Sequence, residues 1–168
     1  MRRIAQFYPV SDVQFRQDWA GAFPDGPEPG AVRLPRRATA GSAGYDFFSP
    51  ADFTLAPGES VLLPTGVRVR MDEGWVLMLY PRSGLGFKYR LQLNNTVGII
   101  DSDYFHAKNE GHILLKLTND SREERTLTVR AGDAVAQGVF VEYGIAVDDD
   151  AAGRREGGFG STDSQGKG

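Results

Sequence analysis

The 168-residue chain contains no cysteine and only two histidines. Without cysteine it can form neither a disulfide nor a thiolate-ligated zinc site, and it has no thiol nucleophile. Because His106 and His112 have no cysteine beside them, the His/Cys/Cys zinc site of nucleobase deaminases cannot be built. We expect both imidazoles to lie on the surface. The lack of cysteine also suits a reducing compartment, so we expect a cytoplasmic protein.

Long apolar runs and an excess of positive charge are absent as well. No apolar run approaches the 18 residues or more that a membrane span needs, and the basic start Met1 to Ile4 is not followed by an apolar region before Ser11. We therefore expect neither a membrane segment nor a signal peptide. The formal net charge of −3 argues against a non-specific binder of nucleic acid or anionic membranes. Accordingly, we expect no nucleic-acid partner and no membrane partner.

Residues 1–37 have the pattern of an N-terminal extension. Residues 11–20 predict a short helix, because Ser11 begins a capping box and two aromatic side chains share one face at a spacing of four. We expect Gly21 to end this helix. Prolines and glycines follow one another closely in residues 23–37 and predict a loop. We interpret the whole stretch as an extension that lies against the main domain.

Most of the remaining chain shows the pattern of short β-strands. Apolar runs bounded by turn residues predict strands within residues 60–71, 75–80, 112–118, 125–130 and 135–143. The run at 75–80 is continuous, which favours a strand buried on both faces. No second helical pattern of ten residues is found. The pattern therefore predicts an all-β domain, an antiparallel sandwich or barrel, over residues 38–147.

Residues 95–104 combine an amide, a glycine, two carboxylates and an aromatic ring with a short β-branched run. If the strand continues, Asp101 and Asp103 point to the same face, where two like charges repel unless a cation, water or a basic partner separates them. One interpretation is a solvated strand end that runs into a turn. The other is a carboxylate that acts as a general base beside a ligand pocket.

Three further segments could contribute to such a pocket. Residues 81–86 form a glycine-rich stretch in which Arg82 and Ser83 offer donors that suit a phosphate, although an ordinary turn with a surface arginine explains them equally well. Asp46 follows Gly44 and Tyr45, and could simply cap a turn. Gln137 lies inside an apolar strand pattern and must find a partner there, whether or not a ligand supplies it.

The composition changes after Tyr143. Residues 148–150 are acidic, and residues 151–168 contain six glycines. Such a segment buries too little apolar surface to order itself, so its composition predicts a mobile tail. The same tail joins Arg154 to an aromatic ring at Phe159, a combination that could fold over a nucleotide and stack on its base.

Five segments in this order resemble the homotrimeric deoxyuridine triphosphatases (dUTP pyrophosphatases). They are Ala43–Ser49, Pro81–Gly86, Asn95–Tyr104, Ala131–Gln137 and Arg154–Thr162. Each segment alone is weak evidence, but five in register make a specific match. The resemblance implies a jelly-roll-like β-barrel with a glycine-rich C-terminal arm, residues 148–168, that crosses to a neighbouring subunit and closes over an active site. It also implies hydrolysis of dUTP to dUMP and pyrophosphate, with Mg²⁺ on the triphosphate, by a homotrimer with shared active sites.

The resemblance further implies a role for individual residues. Asp101 matches the aspartate that deprotonates the water attacking the α-phosphorus. Asp46 would reach Mg²⁺ at most through a water, and no residue is expected to ligate the metal directly. The residues that match phosphate contacts are Arg82, Ser83, Gly84, Gln137, Arg154, Ser161 and Thr162. The residues that match uracil and deoxyribose contacts are Asn95, Gly98, Tyr104 and Phe159, and the ring of Tyr104 would exclude a 2′-hydroxyl.

The chain also departs from the family pattern. Family members reach a glycine within two residues of the tyrosine, whereas here residues 105–110 separate Tyr104 from Gly111. An alternative function is that of the dCTP deaminases, which use a glutamate base on the same barrel, but we find no matching glutamate before Gln137. Binding of a regulatory partner by the extension or by the longer loop would be an additional role of the protein.

Overall fold

The computed structural model describes residues 2–153. In chain order the strands within this range are β1 (Ala5–Pro9), β2 (Arg36–Arg37), β3 (Tyr45–Phe48), β4 (Phe53–Leu55), β5 (Ser60–Pro64), β6 (Val67–Met71), β7 (Trp75–Pro81), β8 (Leu91–Leu93), β9 (Gly98–Ile100), β10 (Leu114–Asn119), β11 (Leu127–Val129) and β12 (Ala134–Glu142). The helices are α1 (Asp12–Ala22), α2 (Ser83–Tyr89) and a 3₁₀ segment (Ser102–His106). The predicted tail residues Arg154, Phe159, Ser161 and Thr162 lie outside the described range.

The described strands pair in antiparallel fashion throughout, which confirms the predicted all-β, jelly-roll-like fold. The largest sheet has the strand order β2-β3-β12-β7-β9. A second sheet has the order β5-β10-β8, while β1 pairs with β6 and β11 with β4. Thr65 and Gly66 separate β5 from β6. Among the described residues, no helix is both long and apolar enough to cross a membrane.

The core lies between the sheets and is filled by alternate apolar side chains. On β7, Leu77 and Leu79 are buried, whereas Val76 and Met78 on the other face are only half-buried. The prediction that this strand is buried on both faces is therefore wrong for the single chain. An uninterrupted apolar sequence does not show how many faces are covered, because that depends on what packs against the outer face.

The predicted N-terminal helix is confirmed, with two differences. The Ser11 hydroxyl oxygen accepts a hydrogen bond from the Gln14 backbone N–H at 3.1 Å, as a capping serine should. However, the Ser11 backbone N–H donates to the carboxylate of Glu110 at 2.8 Å, so the capping box is not closed by Gln14. The helix also continues past Gly21 to Ala22.

Residues Ala5–Pro9 form a strand that the sequence analysis did not predict. They pair with β6 over the full length of both strands, from Ala5 opposite Met71 to Pro9 opposite Val67. A five-residue segment that contains glutamine and proline gives too little alternation to indicate a strand, and β6 supplies the pairing. Part of the extension therefore pairs with a strand of the barrel. The division of the chain at residue 37 stays a prediction.

Candidate active site

One sheet brings together four of the segments that the sequence analysis singled out. In this sheet, Gln137 on β12 lies opposite Asp46 on β3 and, on its other side, opposite Tyr80 on β7. Beyond β7, Gly98 of β9 lies opposite Leu79. Because neighbouring strands in a sheet are less than about 5 Å apart, these segments, which are distant in sequence, lie side by side in one sheet.

Asp46 and Arg82 form an ion pair at the centre of this arrangement. The Arg82 Nη1 donates to the Asp46 Oδ2 at 2.6 Å, with 38% and 16% of the two side chains exposed. The carboxylate thus fixes the direction of the guanidinium. A guanidinium has five N–H donors in a rigid fork, so one contact to a carboxylate leaves donors that can bind a phosphate.

Gln137 finds its partner within the chain. Its side-chain amide donates to the Pro81 carbonyl at 3.2 Å, directly before Arg82. A Cβ built on Gly44 would lie 2.8 Å from the Gln137 Oε1, so the glycine leaves space for this amide. The half-buried amide is thereby held against the phosphate-binding segment that the resemblance indicated.

Helix α2 begins where the sequence analysis allowed an ordinary turn, so that alternative is wrong. Arg82 is the N-cap residue and makes no side-chain capping bond, while Ser83 and Gly84 are exposed in the first turn. The first backbone N–H groups of a helix have no partner inside it, and they can bind an anion. A cleft of about 360 Å³ opens beside them, between Arg82, Gly84 and Asp133.

A second cavity of about 450 Å³ is lined by Leu79 of β7, by residues of β5, β8 and β10, and by the segment that joins β8 to β9. Asn95 and Gly98 line it where β8 connects to β9, and most of its other walls are leucine side chains. A Cβ on Gly98 would lie 3.0 Å from the Leu79 Cβ, so glycine permits the close approach of β9 to β7. The cavity offers apolar walls with polar groups at one end, which suits a flat heterocycle.

Asp101 and Asp103 are not the equivalent pair that an extended chain would create. Asp101 follows β9 with extended backbone angles, φ −77° and ψ 159°, and is half-buried. Asp103 lies in the 3₁₀ segment and is exposed. Since the chain turns into a helix after Asp101, the two side chains do not alternate as on a strand. That prediction is wrong, and the structure distinguishes Asp101 as the carboxylate at the end of the sheet.

Tyr104 is buried, with 3% of its surface exposed. Its hydroxyl donates to the His112 carbonyl at 2.9 Å and accepts from the Asn109 side-chain amide at 2.8 Å. The structure therefore gives this tyrosine an anchoring role. Its contact with deoxyribose stays a prediction.

His112 is fully buried, so its predicted surface position is wrong, whereas His106 is exposed as expected. The Gly66 backbone N–H donates to the His112 Nε2 at 2.8 Å, which requires this nitrogen to be unprotonated. The Nδ1–H then donates to the Asp18 carboxylate at 2.5 Å. Burial lowers the pKa of His112, although Asp18 and Glu110 act in the opposite direction. No local signal in the sequence indicates this pairing.

A family model described as dUTPase matches residues 31–163. The chain belongs to the dUTPase family. The "Deoxyuridine 5'-triphosphate nucleotidohydrolase" of Lactococcus lactis subsp. lactis (strain IL1403) is 41% identical over 134 residues, which are 78% of this chain and 88% of that protein. The match confirms the resemblance that the five segments indicated.

Solved dUTPase structures have the same fold. The crystal structure of dUTPase from Streptococcus mutans is 34% identical and covers 83% of this chain and 97% of its own, with a TM-score of 0.62. A mutant dUTPase from phage phi11 of S. aureus, described with a structural Mg(II) ion, has a TM-score of 0.63 at 22% identity, covering 90% and 98% of the two chains. The dUTPase match begins only at residue 31, so β1 and α1 lie outside it.

Proposed function

We propose that this member of the dUTPase family hydrolyses dUTP to dUMP and pyrophosphate. The observation that carries the proposal is the meeting of Asp46 on β3, Gln137 on β12 and Arg82 directly after β7, at the start of α2. The cavity at Asn95 and Gly98 lies beside the same strand β7. The name of the Lactococcus relative supports the same substrate. In the cell, the reaction would limit uracil incorporation into DNA and supply dUMP for dTMP synthesis.

The base and the sugar are bound on the side of β7 where β9 pairs with it. The leucine-walled cavity takes the flat faces of uracil, and the polar groups at Asn95 and Gly98 hydrogen-bond its edge much as adenine would. Tyr104 lies beyond the end of β9, and its ring would meet the deoxyribose and exclude a 2′-hydroxyl. A pocket that encloses the base closely would discriminate against larger pyrimidines.

The triphosphate is bound on the other side of β7. Arg82 supplies the charged fork, Ser83 and Gly84 supply N–H groups at the start of α2, and Gln137 supplies an amide close to the α-phosphate. Asp46 keeps the guanidinium in place through the 2.6 Å contact. These groups hold the chain of phosphates in line with the attacking water.

Asp101 acts as the general base in this proposal. Its carboxylate takes a proton from a water as the water oxygen bonds to the α-phosphorus, and the bond from that phosphorus to the bridging oxygen of pyrophosphate breaks. In the register of β9 on β7, Asp101 follows Ile100, which lies opposite Leu77, at the end of the pairing away from Arg82. In the proposed homotrimer with shared active sites, it would therefore act together with the phosphate-binding groups of a neighbouring subunit. As in phosphoryl transfer generally, positioning and neutralisation of charge provide most of the rate enhancement.

The residues of the site fit a magnesium ion that the substrate itself brings. Within residues 2–153 no group of three or more histidine, aspartate or glutamate side chains could hold a metal, and Asp46 is occupied by Arg82. Mg²⁺ prefers phosphate and water oxygens, so it would bind the triphosphate and reach Asp46 through a water. When bound, it neutralises charge on the phosphate oxygens.

The proposal includes a cytoplasmic homotrimer in which residues 148–168 form an arm over a neighbouring subunit's site. Arg154, Ser161 and Thr162 would bind phosphate there, and Phe159 would stack on uracil. The extension, residues 1–37, and the barrel, residues 38–147, would form the rest of each subunit. Family membership supports this assignment.

A nucleotide panel tests the proposed function. The protein is incubated with dUTP, dCTP, dTTP or UTP and Mg²⁺, and both pyrophosphate and ammonia are measured. We expect rapid pyrophosphate release from dUTP alone and no ammonia from dCTP. Ammonia release from dCTP would favour the deaminase alternative, and equal turnover of UTP would contradict the role of the sugar pocket.

A further inference from the structure

The longer loop after Tyr104 returns to the point where it leaves the barrel. Gly111 has φ +70°, and a Cβ built on it would lie 2.6 Å from the Tyr104 carbonyl oxygen. Only glycine permits this backbone angle and this approach at low cost. Residues 105–110 therefore form a closed loop whose two ends meet at Tyr104.

The outer side of this loop holds the start of α1. The Glu110 carboxylate accepts from both the Ser11 backbone N–H, at 2.8 Å, and the Ser11 hydroxyl, at 2.7 Å. These two hydrogen bonds lower the pKa of Glu110. The Arg68 guanidinium lies 3.6 Å above the Phe105 ring and 3.7 Å from Glu110. The loop thus joins the first turn of α1 to strand β6.

A second contact, made by His112, reaches the same helix about two turns further on. Asp18, on the face of α1 that packs on the barrel, accepts from the buried His112 Nδ1–H at 2.5 Å. The opposite ring nitrogen of His112 accepts from the Gly66 backbone N–H at 2.8 Å. Because both ring nitrogens are engaged, the orientation of the imidazole and of its backbone is fixed by the helix and by the β5–β6 bend.

This contact continues to the end of β9. The His112 carbonyl accepts from the Tyr104 hydroxyl at 2.9 Å, and Asn109 donates to the same hydroxyl at 2.8 Å. The Tyr104 backbone N–H donates to the Asp101 carbonyl at 3.2 Å. A continuous series of hydrogen bonds therefore runs from α1 to the residue before the 3₁₀ segment.

We propose that Asp18 and Asn109 are positioning residues for the Asp101 carboxylate, Asp18 through His112 and Asn109 through Tyr104. The N-terminal helix α1, which lies outside the dUTPase match, thereby helps to position a residue of the active site. The inference rests on the proposed function for its kinetic consequence. The contacts themselves do not depend on the proposed function.

The kinetic test compares two substitutions at Asp18 with one matched control. Asp18→Ala removes the acceptor of the His112 Nδ1–H, while Asp18→Asn keeps an oxygen that can accept it. Glu28→Ala removes the same charge from a side chain that is 91% exposed. A small displacement of a catalytic group lowers the rate of the chemical step. We therefore expect Asp18→Ala to lower kcat for dUTP about tenfold, with KM changed by less than about twofold. Asp18→Asn and Glu28→Ala should keep kcat near that of the unsubstituted protein.

A double-substitution cycle separates positioning from a general loss of structure. In the Asp101→Asn background, Asp18→Ala should cause no further loss of kcat, because the group that it positions is already gone. An equal loss in both backgrounds, or full activity of Asp18→Ala, would overturn the inference. If Asp18→Ala does not fold, Asn109→Ala makes the same test from the other end of the loop.

Amide hydrogen exchange gives a readout that needs no activity. Asp18→Ala should raise the exchange rates of residues 104–112, and Glu28→Ala should not. Unchanged exchange in Asp18→Ala would refute the coupling even if dUTP is hydrolysed. Raised exchange in a protein that does not hydrolyse dUTP would instead refute the proposed function and leave the contact network intact.

Discussion

Two regions of the molecule meet at Asp101 and differ in how they are built. The first is the motif sheet, strands β3, β12, β7 and β9, in which short segments with recognisable chemistry lie side by side. The second is the helix–loop support, helix α1 together with residues 105–112, which contains few recognisable segments and is held by contacts such as that of Asp18 with His112. The motif sheet supplies the groups that bind and react, and the helix–loop support fixes where one of them points.

This comparison predicts different consequences of substitution. Changes in the motif sheet should reduce activity and leave the free energy of unfolding nearly unchanged, because the side chains concerned are partly exposed and point to the site. Changes in the helix–loop support should reduce stability as well as activity, because its groups are buried or occupy special backbone angles.

The largest effect is expected at Asp101. Asp101→Asn removes the proposed general base and should lower kcat for dUTP about 10²-fold or more, with an unchanged melting temperature. Steady-state kinetics and thermal unfolding measure the two quantities. Asp103→Asn is the matched control in the neighbouring 3₁₀ segment and should keep most of the activity. Equal losses in both variants would remove the distinction between the two carboxylates.

The next effect is expected at the two ends of α2. Arg82→Ala removes charged donors to phosphate, worth about 1.5–3 kcal/mol, and should lower kcat/KM for dUTP about 10-fold to 10²-fold. Arg90→Ala removes the same charge at the other end of α2, where Arg90 pairs with Asp120 at 3.1 Å, and should leave kcat/KM nearly unchanged. A loss of the same size in both variants would mean that overall charge, rather than the contact of Arg82, binds the triphosphate.

A large stability effect is expected in the helix–loop support at Gly111. Gly111→Ala adds a Cβ 2.6 Å from a backbone oxygen at φ +70°, and should lower the free energy of unfolding by about 2 kcal/mol or more. Gly58→Ala is the control, because Gly58 has φ +84° and nothing within 4 Å of the added Cβ. Urea denaturation should show a clearly larger loss for Gly111→Ala, and equal losses would show that the loop ends are not closely packed.

The smallest effect concerns pH. Burial lowers the pKa of His112 below its ordinary value of 6.5, so the unfolded chain binds a proton in a range where the folded chain does not. Stability should therefore fall as pH decreases below about 6.5, by less than about 1.4 kcal/mol per pH unit. The lowered pKa of Glu110 acts only below its ordinary value of 4.5, outside this range. Urea denaturation between pH 7.5 and 5 measures the slope. The control His106→Gln, which removes an exposed imidazole, should leave the slope of stability against pH unchanged. A stability of the unsubstituted protein that does not change with pH would contradict the buried neutral His112.

The sequence predicted the motif sheet far better than the helix–loop support. Strand patterns indicated β7 and β12, because alternation is a local property of a chain, whereas β3 was not predicted. The roles of Asp46, Arg82 and Asp101 stay predictions. The start of α2 at Ser83 was missed, since glycine disfavours a helix and a glycine-rich stretch indicates a turn.

The helix–loop support could not be predicted for a different reason. The burial of His112 depends on Asp18 and Gly66, which come from separate elements, and a lone histidine gives no sign of either partner. Strand β1 likewise depends on β6 for its pairing. The resemblance to dUTPases identified residues 105–110 as a departure, but only the structure shows that they contact the N-terminal helix.

The most direct test of the central claim is hydrolysis of dUTP in ¹⁸O-labelled water, with products analysed by mass spectrometry. If Asp101 directs water to the α-phosphorus, a single ¹⁸O atom should appear in dUMP and none in pyrophosphate, and the Asp101→Asn variant should form labelled dUMP about 10²-fold more slowly. Label in pyrophosphate, or an undiminished rate in Asp101→Asn, would contradict the account.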